Sequence, residues 1–178
     1  MQKVVAIAPN PSSVRREEKG PVKVYDSLYL GSRLDARNVK KLKALGITAV
    51  VDCAPEYKTI DAQNLLSAKQ TKQEKQCFAE SDCLKLDLHD DERILTEFRT
   101  HAEKAIDFIN KHCDKNQKVL VYCHLGTSRA AGIVLAYMMR KEDIDYSVAL
   151  GQLRNLCAGT DQVILPNIWI EDLLAMWE

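Results

Sequence analysis

At 178 residues the chain has the length of one domain able to bury a sizeable core. Hydrophobic residues make up 46%, charged residues 28%, and the formal net charge is zero, so no bulk field favours nucleic acid or an acidic membrane. No stretch approaches the roughly 20 apolar residues of a membrane span, and no cationic region precedes the short apolar run near the N-terminus, so neither a span nor a signal peptide is expected. The expected compartment is the cytoplasm, with the nucleus as the alternative. Six cysteines, at 53, 77, 83, 113, 123 and 157, include no C-x-x-C pair, and reduced thiols are the expectation.

Residues 1–20 end in polar, proline-containing and charged sequence and read as a flexible N-terminal extension, with an edge strand around Val4 to Ile7 as the other option. Val22 to Val24 and Leu28 to Leu30 flank Tyr25-Asp26-Ser27, which predicts a hairpin ending at Gly31. Residues 35–45 read as one helix with Ala36, Val39 and Leu42 on one face and Gly46 closing it. The β-branched run 47–53 reads as a buried strand. Residues 57–82, rich in Lys, Gln, Glu and Ser, read as a solvated helix or a long surface loop. Leu84, Leu86 and Leu88 alternate with polar residues, which predicts a half-buried strand running into His89-Asp90-Asp91. Helices are predicted over 97–112, 129–140 and 146–156, and a buried strand over 119–122. The stripe Ile170, Leu173, Leu174, Trp177 predicts a last amphipathic helix. Strands interleaved with helices imply an α/β domain whose central, mostly parallel sheet is flanked by helices. Ligands in such sheets bind beyond the carboxyl ends of the strands.

One junction occupies that place. It reads Cys123-His124-Leu125-Gly126-Thr127-Ser128-Arg129, a cysteine and an arginine separated by five residues between a buried strand and a helix. That spacing lets a short loop curl around one tetrahedral anion, with backbone N–H groups inward and the next helix adding positive potential. Gly126 permits a backbone conformation that a Cβ would resist. Arg129 can hold two phosphate oxygens at once. The potential that binds phosphate also stabilises a thiolate, which makes Cys123 a candidate nucleophile. His124, Leu125, Gly126, Thr127, Ser128 and Arg129 are the candidate phosphate-binding residues.

With these residues in view, the sequence resembles the dual-specificity branch of the protein tyrosine phosphatases over roughly residues 22–177. Beyond the C-x-x-G-x-S-R loop, Leu28-Tyr29-Leu30-Gly31 resembles the family's opening strand, and Leu45-Gly46-Ile47-Thr48 its first helix-to-strand turn. Ala136-Tyr137-Met138-Met139 matches the helix after the loop, and Pro166-Asn167 the start of the last helix. The resemblance implies a protein tyrosine phosphatase-like fold, with 21–178 as one catalytic domain. It implies hydrolysis of phosphate monoesters on protein Tyr and Ser/Thr side chains through a phosphocysteine intermediate. No cofactor and no metal are implied; the expected partner is a phosphorylated protein, not nucleic acid or membrane, and a monomer is expected. The leaving alcohol needs a proton. The family places its acid after a strand of the form L-x-L-x-D, and Leu86-Asp87-Leu88-His89-Asp90 fits, which makes Asp90 the candidate acid. Asp91 is the runner-up, and Asp87, inside the strand, the weaker choice. Relatives that act on phosphoinositides or RNA 5′-ends tend to carry extra basic residues in the loop. Their absence at 124, 125 and 127 favours a singly phosphorylated protein side chain. The segment 57–82 falls where it could rim the pocket or simply be a solvated insertion.

Two positions depart from the family pattern. Tyr122 stands where a histidine usually precedes the nucleophile, and Ala130 where a Ser or Thr usually follows the arginine and donates to the cysteine sulfur. Both spare phosphate binding and threaten turnover, unless Ser128, Thr127 or Tyr122 supplies the missing donor. A phosphate-binding pseudophosphatase or interaction module with weak or no turnover is therefore the alternative. A metal site from Cys123, His124, His112 and Cys113 lacks standard ligand spacing. Val51-Asp52-Cys53-Ala54 resembles the place where some relatives carry a back-up thiol, which makes Cys53 a candidate redox partner of Cys123.

Overall fold

The computed structural model describes residues 20–54, 78–160 and 162–177. The N-terminal extension and residues 57–77 of the polar segment lie outside the described residues.

The chain opens with β1 (Val22–Tyr25) and β2 (Leu28–Ser32), an antiparallel hairpin. Two short helices follow where one was expected, α1 (Arg33–Arg37) and α2 (Val39–Leu45). The break has a local cause. The Asn38 side chain accepts the Lys41 N–H at 3.1 Å, so Asn38 starts a new helix. Gly46 closes α2 at φ +72, the left-handed conformation that glycine adopts without cost.

The next strand is β3 (Ile47–Asp52), and the described chain after residue 77 holds a 3-10 turn at Glu80–Asp82 followed by β4 (Cys83–Lys85). After β4 come α3 (Ile94–Cys113), β5 (Lys118–Cys123), α4 (Arg129–Glu142), α5 (Tyr146–Cys157) and α6 (Ile168–Ala175). Leu86 and Leu88 are buried as their alternation predicts, but the strand pairing stops at Lys85. Its partner β3 ends at Asp52, whose carbonyl takes the Leu86 N–H at 2.8 Å. Beyond that point no edge is left to pair with.

The sheet order is β1-β2-β5-β3-β4, and every pairing except β1–β2 is parallel. β5 is the central strand, and the two faces of the sheet are unequal. Val119, Val121 and Cys123 belong to the large core with Phe98, Ile133 and Ile170. Leu120 belongs to a small cluster with Tyr29, Leu42, Ile47 and Val50, against which Tyr122 packs. Side chains alternate along a strand, so Cys123 and Tyr122 lie on opposite faces. Gly132 allows α4 to sit tightly against α6 and α3, since a Cβ there would lie 2.7 Å from Ile170 Cγ2. Among the described residues no helix is long and apolar enough to cross a membrane.

Candidate active site

The C-terminal end of β5 opens directly into the loop 123–129, and α4 begins at Arg129. Three loop carbonyls are tied to the segments around them. Arg33 N–H donates to His124 O at 3.3 Å, Gln162 Nε2 to Leu125 O at 3.3 Å, and Leu165 N–H to Thr127 O at 3.0 Å. With these carbonyls bonded outward, the loop turns an amide inward: Gly126 N–H donates to Cys123 Sγ at 3.2 Å. Gly126 sits at φ +80, and a Cβ there would lie 2.7 Å from the Gly31 carbonyl. Conformation and contact both require glycine at this position.

Cys123 and Arg129 are buried. The Arg129 guanidinium donates from Nη1 to Leu88 O at 3.2 Å, while its Nε is buried without a hydrogen-bond partner and lies 3.8 Å from Asp90 Oδ2. A buried unpaired donor on a charged group is costly. An anion seated over the Cys123 sulfur would offer it an acceptor.

Asp90 is held over the loop. Asn167 Nδ2 donates to its Oδ1 at 2.6 Å, and Ser128 Oγ donates to the same oxygen at 3.4 Å. Ser128 Oγ in turn accepts the Asn167 N–H at 3.1 Å, and Asn167 Oδ1 caps α6 through Ile170 N–H at 2.9 Å. The preceding residue is fixed from behind, where Glu97 Oε1 accepts the His89 N–H at 2.7 Å and lies 3.1 Å from His89 Nδ1. Asp91 is placed differently. Arg93 binds its carboxylate through Nε and Nη2, and this hydrogen bonding holds the Asp91 carboxyl far below the usual range. A carboxyl locked in its charged form has no proton to give. Asp87 is exposed, on neither the loop nor Arg129.

Of the sequence-predicted residues, the structure brings together Cys123, Ser128, Arg129 and Asp90. Asn167 and Glu97 were missed as positioning groups. A Pro-Asn pair before a helix signals the Asn167 cap, but its contact with Asp90 spans 77 positions and has no local signature. Ala130 is fully buried at the start of α4. Two of the three hydroxyls that could have replaced a serine there, those of Ser128 and Tyr122, are turned elsewhere. Ser128 Oγ is directed to Asp90, and Tyr122 bonds Asp52 on the opposite sheet face, where burial first and Asp52 second push the phenol far above its usual pKa. Among the described residues no group of three or more His, Cys, Asp or Glu side chains is arranged to hold a metal ion.

Cys53 follows β3, on the sheet face that also carries Cys123. Asp52 is the register partner of Tyr122, and Cys53 N–H donates to Tyr122 O at 2.8 Å. Cys53, one residue past β3, thus lies beside the end of β5 that carries Cys123, and adjacent strands run about 4.8 Å apart. Complete burial, and next the Cys123 charge, raise the Cys53 thiol well above its ordinary pKa.

The family model described as "Dual specificity phosphatase, catalytic domain" matches residues 28–178. Dual specificity protein phosphatase 1 of Mus musculus is 32% identical over 172 residues, covering 91% of this chain and 38% of the relative. The chain therefore spans well under half of that relative's length. The human tyrosine phosphatase-like serine/threonine/tyrosine-interacting protein superposes with a TM-score of 0.66 at 24% identity, covering 87% of this chain and 93% of that one. A mouse putative dual specificity phosphatase complexed with zinc tungstate superposes with a TM-score of 0.64 at 22% identity, covering 94% and 90%. At these identities the two structures bear on the fold alone.

Proposed function

Since the chain belongs to the dual specificity phosphatase family, we propose that it hydrolyses phosphate monoesters on protein Tyr and Ser/Thr side chains through a phosphocysteine intermediate, as a monomer with residues 21–178 as its catalytic domain. The observation that carries this reading is the buried Arg129 Nε that makes no hydrogen bond, on the same loop as a cysteine sulfur that already accepts an amide N–H, with the Asp90 carboxylate 3.8 Å away.

In this reading the substrate phosphate sits in the loop 124–129, bound by backbone N–H groups and the Arg129 fork. The Cys123 thiolate attacks phosphorus, and Asp90 gives its proton to the leaving oxygen. Asp90 then takes a proton from water as that water attacks the phosphocysteine, which releases phosphate and restores the thiolate. Asn167, Ser128 and Glu97 position Asp90 and the residues leading into it. The loop positions His124, Leu125 and Thr127 add no Lys or Arg, which supports a singly phosphorylated protein side chain as substrate. The competing reading is a phosphate-binding module without turnover. The convergence of nucleophile, arginine and acid in one site favours hydrolysis, because binding alone requires neither the thiol nor the acid.

We also propose Cys53 as the redox partner of Cys123. Peroxide would oxidise the Cys123 thiolate to a sulfenic acid, and the Cys53 thiol would displace water to form a disulfide.

The test is hydrolysis of a small aryl phosphate by metal-free protein. The parent should turn it over, and Cys123→Ser and Arg129→Ala should not. Near-parental hydrolysis by either variant would overturn the mechanism.

A further inference from the structure

Among the described residues nine large hydrophobic side chains are exposed. Isolated cases are ordinary on any surface, but five of the nine gather at one place. Leu34, Leu125, Val163, Leu165 and Ile168 are each 54–65% exposed. Leu125 belongs to the loop, and Leu165 donates its N–H to Thr127 O. The other three each adjoin a residue bonded to the loop: Arg33 to His124 O, Gln162 to Leu125 O, and Asn167 to Ser128 Oγ.

The segment after α5 makes the anomaly clear. Ile164 and Pro166 are buried while Val163 and Leu165 are exposed, the alternation of an extended chain over a core. Such a chain ordinarily presents polar residues outward. Here both outward positions are aliphatic, and Ile168, the first residue of α6, repeats the pattern. The inward positions already satisfy the core, so the fold gives no reason for aliphatic residues outside.

We propose that this apolar rim binds aliphatic side chains flanking the phosphorylated residue of a protein substrate. The proposal rests on the phosphatase reading of the same loop. Its occupant follows from connectivity: a phosphorylated side chain reaching Cys123 draws its neighbours in sequence across whatever surrounds the loop. An acidic or multiply phosphorylated segment would instead call for a cluster of cationic side chains, and of the loop-bonded residues that adjoin the rim positions, Arg33, Gln162 and Asn167, only Arg33 is a cation.

Binding of phosphotyrosine peptides to the Cys123→Ser protein, read by fluorescence anisotropy, tests this without requiring turnover. One peptide carries Leu and Ile on both sides of the phosphotyrosine, and its twin carries Asp and Glu. The aliphatic peptide should bind about tenfold more tightly, the lower end of what apolar contacts give in discrimination. The double variant Val163→Ser with Leu165→Ser, in the same Cys123→Ser background, should bring the two peptides close to parity, mainly by weakening the aliphatic one. Equal binding of the twins, preference for the acidic one, or an aliphatic preference unchanged in the double variant would overturn the proposal. Tungstate binding together with no peptide binding would overturn the rim and leave the phosphate loop standing. Binding to phosphatidylcholine vesicles containing a phosphoinositide, lost in the double variant and without peptide preference, would overturn it in favour of a lipid surface. Failure of the phosphatase reading shows separately, as absent aryl phosphate hydrolysis by the unsubstituted protein.

Discussion

Ala130→Ser should accelerate the second half of the reaction more than the first. In the proposed mechanism the sulfur leaves phosphorus as a thiolate, and developing charge there needs donors. In the structure Gly126 N–H is aimed at Cys123 Sγ at 3.2 Å, while the Ser128 and Tyr122 hydroxyls are engaged with Asp90 and Asp52. A hydrogen bond to a charged group is worth about 1.5–3 kcal/mol. Expressed only when sulfur departs, one added donor would speed that step roughly 10- to 150-fold. Rapid mixing with excess aryl phosphate should therefore show a burst of leaving group in the parent, followed by slow turnover. Ala130→Ser should raise the slow phase and leave the burst nearly unchanged. Tungstate affinity should barely move, because the proposed mechanism assigns phosphate binding to the loop amides and Arg129. Ala130 is fully buried, so a serine hydroxyl that failed to reach the sulfur would be an unsatisfied buried group costing about 1–3 kcal/mol of stability. A thermal melt separates the two outcomes: a faster slow phase goes with an unchanged Tm. No burst in the parent, together with a variant no faster than the parent, would refute the reasoning.

Asp90→Asn should slow hydrolysis of a phosphoserine peptide by about 10²–10⁴-fold, and of an aryl phosphate with a good leaving group much less. Asp91→Asn should leave both rates close to parental, because Arg93 keeps that carboxyl charged; the opposite ranking would move the acid by one residue. Under brief peroxide treatment, peptide mapping should recover a Cys53–Cys123 disulfide. Burial raises the Cys53 pKa, so the nucleophilic thiolate is scarce at neutral pH and the yield should climb as pH rises. Cys123 oxidised at every pH but never linked to Cys53 would end that proposal.

Much of this site was legible because its chemistry is local. Cys123 and Arg129 lie in one seven-residue stretch between a β-branched strand and a helix, and Gly126 marks the sharpest turn inside it. The alternation of Leu84, Leu86 and Leu88 marks the covered face, with Leu86 and Leu88 buried and Leu84 partly so, but it overstates the pairing, since hydrophobic period reports which face is covered and not where the neighbouring strand ends. The single helix expected over 35–45 is two, because the side-chain cap at Asn38 outweighs the apolar spacing on either side of it. Asp90 and Asp91 are adjacent acids that no periodicity separates. What separates them is Arg93 two residues on and Asn167 far along the chain. Tyr122, kept from sequence as a possible donor to the sulfur, lies on the sheet face opposite Cys123, as strand alternation requires, and does not serve as one.

The central claim is covalent, and it is tested most directly by trapping the intermediate. Protein mixed with excess aryl phosphate should be quenched in acid during slow turnover and mapped for phosphate. One phosphoryl group per chain should appear on Cys123, vanish in Cys123→Ser, and fall in amount in Ala130→Ser as the second step quickens. Steady hydrolysis with no phosphate ever found on Cys123 would contradict the account.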